Sequence, residues 1–209
     1  MKTLLSLLLF LVSLSFCSSQ SSIGLSIGYG FNQTIDDNPF WDVYNLNRWL
    51  IGVPVGFKWN ERWETLASVN LTSQKLLIGH YVGIEPPKES FHEQMSFARI
   101  SAEQHFYPIK QISIGIGGFY AYKFYEQFKN IDGDWEKSKR DFFNKHTLGI
   151  NSSLSLKIRQ VSFDLRYFVG LSPILDVDIP GAFIPETPEN VKGFNRSLEL
   201  TANYHFPFK

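Results

Sequence analysis

Seven charged residues of both signs occupy one parity of extended-looking segments: Arg99, Glu103, Lys123, Lys157, Asp164, Arg166 and Glu199. If that parity faces an enclosed space, each charge must find a partner, because an isolated buried charge is costly. The chemistry expected of such a set is mutual neutralisation in a salt-bridge and hydrogen-bond network, a structural role. The five histidines, His80, His92, His105, His146 and His205, offer little more. None is followed two positions later by Ser, the spacing that small-barrel lipid deacylases use. His105 and His205 are expected as hydrogen-bonded polar packing, since a lone histidine is a weak indicator of metal or catalysis.

Other short signals reduce to turns and strands. Asp132-Gly133-Asp134 has too few oxygen ligands for a calcium loop and marks a tight turn. Gly115, Gly117 and Gly118 precede no helix, so they are no dinucleotide fingerprint. The sequons at Asn32, Asn70, Asn151 and Asn195 read as chance. No catalytic residue, metal site or cofactor is expected, and the ligand-binding residues stay open.

The elements that must position these charges are strands. Ile23, Leu25, Ile27, Tyr29 and Phe31 alternate with Gly24, Ser26, Gly28 and Gly30, a strict period of two. Seven more such runs follow, centred on Val53, Ala67, Ile100, Ile116, Leu154, Leu165 and Ala202. Their apolar parity carries Ile, Leu, Val and aromatics; the opposite parity carries Gly, Ser, Asn, Thr and the isolated charges. Long connections follow the odd-numbered runs (32–47, 74–93, 126–141, 172–195) and short ones the even-numbered runs (near Asn60-Glu61, Pro108-Lys110 and Arg159-Gln160). An even number of strands with alternating long and short connections is the pattern of a single-chain bacterial outer-membrane barrel.

Alternation alone also fits a soluble ligand-binding barrel, with its apolar face inside. Aromatic placement selects the membrane reading. With the odd strands running outward, Trp59, Trp63, Phe106, Tyr204 and Phe206 fall at the periplasmic rim. Tyr29, Phe31, Trp49, Tyr122 and Phe124 fall at the external rim, giving the two aromatic belts expected at the membrane interfaces.

At the start of the chain, Met1-Lys2-Thr3 is followed by an apolar or small run from Leu4 to Phe16, then by Cys17-Ser18-Ser19. Residues 1–19 are expected to be a cleaved signal peptide, with a barrel domain over 20–209. Retention of Cys17 as a lipidated residue is the alternative, disfavoured by the bulky Phe16 before it. Lys+Arg and Asp+Glu balance at 20 each, so nothing in the overall charge indicates nucleic acid.

The segments "IGLSIGYGF", "FKWNERW" and "AEQHFYP…ISIGIGGFYAYKF" resemble the small outer-membrane β-barrel proteins of Bacteroidota. These are porin-like or PorT-like barrel domains, similar in architecture to OmpA and OmpX. The resemblance covers about residue 20 to the C-terminus. It implies an eight-stranded antiparallel up-and-down transmembrane barrel in the bacterial outer membrane, and carries over no catalytic residue.

The expected function is non-enzymatic: a barrel with a plugged lumen, acting through external loops or as an envelope scaffold. Outer-membrane lipid, and periplasmic chaperones with the barrel-insertion machinery, are the expected partners. The loops, with Phe40, Trp41, Tyr44 and Phe183 among Pro173, Pro180, Pro185 and Pro188, offer a surface for a protein or surface ligand. A small-solute channel is the alternative, and a lipid-modifying enzyme is further removed.

Overall fold

A computed structural model describes residues 21–36, 41–80, 89–130, 136–137, 144–173, 175–179 and 189–207. The expected signal peptide with Cys17 lies outside the described residues, as do Phe40, Asp132-Gly133-Asp134, Pro180, Phe183, Pro185 and Pro188.

Eight strands form one antiparallel barrel: β1 (Ser21–Asp36), β2 (Trp41–Lys58), β3 (Trp63–His80), β4 (Glu89–Ile109), β5 (Ile112–Asn130), β7 (His146–Ile158), β8 (Val161–Gly170) and β10 (Glu189–Pro207). Each pairs with its neighbour, and β1 closes the ring on β10 from Ser22↔Pro207 to Asp36↔Gly193. Two short strands lie outside this ring. β6 (Glu136–Lys137) pairs with β5, and β9 (Leu175–Ile179) pairs with the start of β10.

Stepping from partner to partner around the ring, Ile23, Val55, Ala67, Ala102, Gly118, Ile150, Val169 and Arg196 lead back to Gln33. The ring therefore closes with a stagger of ten residues. Eight strands at that stagger tilt by about 40° and enclose a lumen only as wide as facing side chains.

Three tight turns join the strands at one end. At Trp59–Arg62 the Asn60 carboxamide accepts the Arg62 and Trp63 N–H groups at 2.8 and 3.0 Å. Lys110-Gln111 and Arg159-Gln160 form the other two, with Arg159 left-handed at φ 56°.

At the opposite end the strands run further than the alternation indicates. The expected connection 32–47 shrinks to residues between Asp36 and Trp41, so Trp41 and Tyr44 belong to β2. β3 and β4 similarly take up most of 74–93, and β5 extends to Asn130. Backbone pairing persists there although the side-chain pattern has lost its apolar–polar contrast.

The exterior is apolar and the interior polar. Ile116 is 69% exposed, Ile27 66% and Leu200 59%, while Arg99, Asp164, Arg166, Glu199 and Asn203 are each 1% exposed. A barrel in water would show the reverse; a barrel in hydrocarbon requires this arrangement. Aliphatic residues fill the middle of the band and aromatics its edges. Trp63 packs on Phe106 at 4.9 Å and Tyr204 on Phe206 at 4.9 Å near the tight turns, joined by exposed Trp59. Tyr29 meets Phe31 edge-on at 5.6 Å toward the other end, where Trp49 faces Tyr29 and where Tyr122 and Phe124 are also exposed. The two groups are about 20 Å apart along the barrel axis.

Pro54 shows how the interior controls a local irregularity. It has no N–H for the ladder, and the β1–β2 register is interrupted opposite it, between Ile23↔Val55 and Ser26↔Gly52. The proline instead packs inside against Gly24, where an added Cβ would lie 3.1 Å from its ring.

Replacing Leu200, at mid-band, by Arg should cost about 2–4 kcal/mol, whereas Trp59→Arg near the band edge should cost about 0–1 kcal/mol. Denaturant titration of the barrel folded in phospholipid vesicles measures both, and the ordering of the two losses is the expected outcome.

Candidate functional site

The polar face of the strands converges on the lumen. Its centre is Glu199 of β10, which meets Arg99 of β4, the strand diametrically opposite, in a two-pronged pair of 2.8 and 2.7 Å. Planar guanidinium and carboxylate match in this geometry, which makes it among the strongest of ionic hydrogen bonds. Arg48 of β2 approaches the same carboxylate at 3.2 Å and also donates to Thr72 at 3.2 Å and Ser197 at 3.4 Å.

One layer toward the tight turns, the signs invert. Arg166 of β8 stands 2.9 Å from Asp164 and 3.5 Å from Glu103 of β4. Glu103 also accepts from Ser153 at 2.7 Å and lies 3.2 Å from His105. Asn203 donates to Asp164 at 2.7 Å and to Ser162 at 3.1 Å, and Ser162 contacts His205 at 3.1 Å. Arg166–Glu103 and Ser153–Glu103 join strands that are not neighbours in the sheet, so these contacts cross the lumen, while the Asn203, Ser162 and His205 contacts follow the wall between β8 and β10.

Of the seven charges expected inside, Arg99, Glu103, Asp164, Arg166 and Glu199 meet in this network. Lys123 is also buried but sits apart, paired with Glu126 toward the far end. Lys157 departs from the expectation: its side chain is 31% exposed at the tight-turn mouth, 4.0 Å from Glu64. The reason is its position as the penultimate residue of β7, beside the turn, where the lumen opens to solvent.

Several participants were not foreseen. Arg48 falls where the alternation of β2 begins, and Glu93 and Glu126 lie where connections were expected; all three are buried. Glu64 accepts the Tyr107 hydroxyl. An apolar layer was missed too. Phe168 lies beneath Arg99, whose guanidinium carbon is 4.0 Å from the ring centre. Phe119 meets Phe168 edge-on at 5.3 Å, Phe97 lines the same void, and Met95 and Leu50 are also buried. Parity carried the signal for Phe168, which follows Asp164 and Arg166 on the same face. Phe119 lies across Gly149, where an added Cβ would strike its ring.

Little space remains. The void beside Arg48, Arg99, Phe97, Phe119 and Phe168 is about 10 Å³, and the one beside Glu64, His105, Asp164 and His205 about 20 Å³. Either has room for about one water.

One arrangement has the elements of an acid–base relay. His105 lies 3.0 Å from the Ser113 hydroxyl and 3.2 Å from Glu103. A nucleophile, a base and an orienting carboxylate within hydrogen-bond reach are the first requirements for acyl transfer. The further requirement is a place for the reacting atom. Ser113 is 0% exposed and the adjoining void is the 20 Å³ one, so no substrate carbonyl fits there in this structure.

No protein-family model and no curated protein sequence matches this chain. Solved structures do match. The outer-membrane protein OprG of Pseudomonas aeruginosa aligns over 90% of this chain and 97% of its own, with TM-score 0.50 and 10% identity. The fold is that of a small outer-membrane barrel. Ail of Yersinia pestis, crystallised with the heparin analogue sucrose octasulfate, aligns over 90% of this chain and 99% of its own (TM-score 0.49, 16% identity). Neisserial surface protein A aligns over 89% and 97% (TM-score 0.49, 13% identity).

The shared carboxylate gives an asymmetric prediction. Arg99→Met leaves Glu199 with Arg48, while Glu199→Gln leaves two buried guanidinium groups without their common counter-ion. Removing one partner of a buried pair costs about 3–5 kcal/mol. Glu199→Gln should reach that range and Arg99→Met should fall below it, as measured by unfolding in vesicles; the double variant Arg99→Met/Glu199→Leu should recover part of the loss.

Proposed function

We propose that this chain is an integral protein of the bacterial outer membrane, exported through a cleaved N-terminal signal peptide. In this reading the lumen is closed, the tight turns face the periplasm, and the protein acts without catalysis through its outer connections or as an envelope scaffold. The observation that carries the closed-lumen reading is the Arg99–Glu199 pair, which joins opposite walls of the barrel at its narrow centre. The apolar band with its two aromatic edges supports the location. The resemblance to porin-like barrels of Bacteroidota supports it as well.

The non-catalytic part of the reading is supported by how the lumen side chains are used. The charged groups are directed at one another across the lumen, and the His105–Ser113–Glu103 cluster has no room for a substrate. The role of the outer connections is supported by the strands themselves. β3 and β4 continue well past the outer aromatic edge as a paired extension, a rigid base for connecting segments. A ligand or partner protein at those connections is part of the proposal.

Planar-bilayer recording separates the closed barrel from a small-solute channel. The wild-type protein should show no steady conductance. Arg99→Ala/Glu199→Ala, which removes the crosspiece while leaving the wall glycines untouched, should introduce discrete openings. A large, steady conductance in the wild type would overturn the closed-lumen reading.

A further inference from the structure

At the tight-turn end the lumen widens into a cavity of about 610 Å³, closed from below by Glu64 and Tyr107 and open to solvent above. Its size is that of a small-molecule pocket. Each of the three turns delivers a cation to its wall: Lys58 from the first, Lys110 from the second, Lys157 and Arg159 from the third. Two carboxylates oppose them, Glu61 and Glu64. Glu64 is already engaged by the Tyr107 hydroxyl and by Lys157 at 4.0 Å. Among the described residues, Lys58, Lys110 and Arg159 make no ion pair. A chain with 20 positive and 20 negative residues thus places an uncompensated positive cluster around one concave mouth.

The third turn adds an independent observation. Arg159 has φ 56°, the left-handed region that Gly or Asn occupies at little cost. An arginine in that place strains the turn and gains nothing for the barrel, since its side chain is exposed at the mouth. What it supplies there is charge.

We propose that this mouth is a polyanion-binding site taking a compact ligand with several phosphate groups. Ammonium groups on flexible stems act as point charges toward phosphate, and the guanidinium of Arg159 offers a fork that grips two oxygens at once. Two net positive charges on the wall set the lower limit: the ligand carries at least two negative charges. Two sources share this chemistry, a free oligophosphate in solution and the clustered headgroups of anionic phospholipid in the adjoining leaflet. The site is independent of the conductance of the lumen, because its floor is the Glu64–Tyr107 contact and not the Arg99–Glu199 pair.

The test uses the full-length barrel folded in nanodiscs of zwitterionic lipid, titrated calorimetrically with tripolyphosphate. Saturable binding of one equivalent is expected, weakening as salt is added. Lys110→Gln/Arg159→Asn should weaken it at least tenfold. Asn suits the left-handed turn, so this variant should fold, as heat-modifiable gel migration verifies. Absence of saturable binding, or equal affinity in the folded variant, would overturn the proposal. Nanodiscs containing phosphatidylglycerol distinguish the sources. Reduced tripolyphosphate affinity there identifies headgroups as the ligand; unchanged affinity identifies a free oligophosphate.

Discussion

The width of the lumen governs most of what is found inside it. Eight strands closing with a stagger of ten leave a channel that facing side chains span completely. Away from the mouth an inward side chain is therefore cut off from solvent, and its charge is met by a group on its own strand or on the facing wall. Arg99 reaches Glu199 on the far wall because that distance is about one Arg plus one Glu long. The glycines obey the same limit: at Gly117 an added Cβ would press on the Ala102 carbonyl, and at Gly149 on the Phe119 ring. Small residues and long charged ones alternate because the cross-section is fixed and each large group needs a neighbour that yields room.

Charge order within this space is layered. The Arg99–Arg48–Glu199 cluster is followed by Arg166 with Asp164 and Glu103, then by neutral hydroxyl, amide and imidazole groups, then by Glu64 and Tyr107 at the mouth. Glu199 is flanked by two arginines and Arg166 by two carboxylates, so the excess sign alternates from one layer to the next along the axis. A lumen filled in this way couples opposite walls through side chains, in addition to the backbone ladder that couples adjacent strands.

The strands, their number and the sidedness of the band were legible from alternation, because in the band one face meets hydrocarbon and the other a polar interior. Beyond the outer aromatic edge that contrast disappears. Asn32-Gln33-Thr34 and Glu89-Ser90 look like loop, and only the pairing register shows them to be strand. Which charges face inward could be read from parity, as with Arg166 and Glu199. Which charges pair could not, because Arg99 and Glu199 are 100 residues apart and meet only through the stagger of the ring. Arg48 lies at the boundary of an alternating run, and Phe168 is an aromatic on an otherwise polar parity, so the polar pattern passes over it although it is buried. Lys157 has the right parity, but its depth along the axis, which sequence does not reveal, places it at the mouth.

The seam between β1 and β10 joins the first described strand to the last, with Ser22 opposite Pro207. Closure must therefore wait until β10 is available to pair with β1, and contacts of such sequence separation are the slowest to form. Until then β1 and β10 each present an unpaired edge, in a chain whose outer face is already apolar. The maturation of this barrel should consequently be governed by how long those two edges stay shielded from other chains, and the final ladder, once formed, acts as a latch whose release requires the whole ring to open.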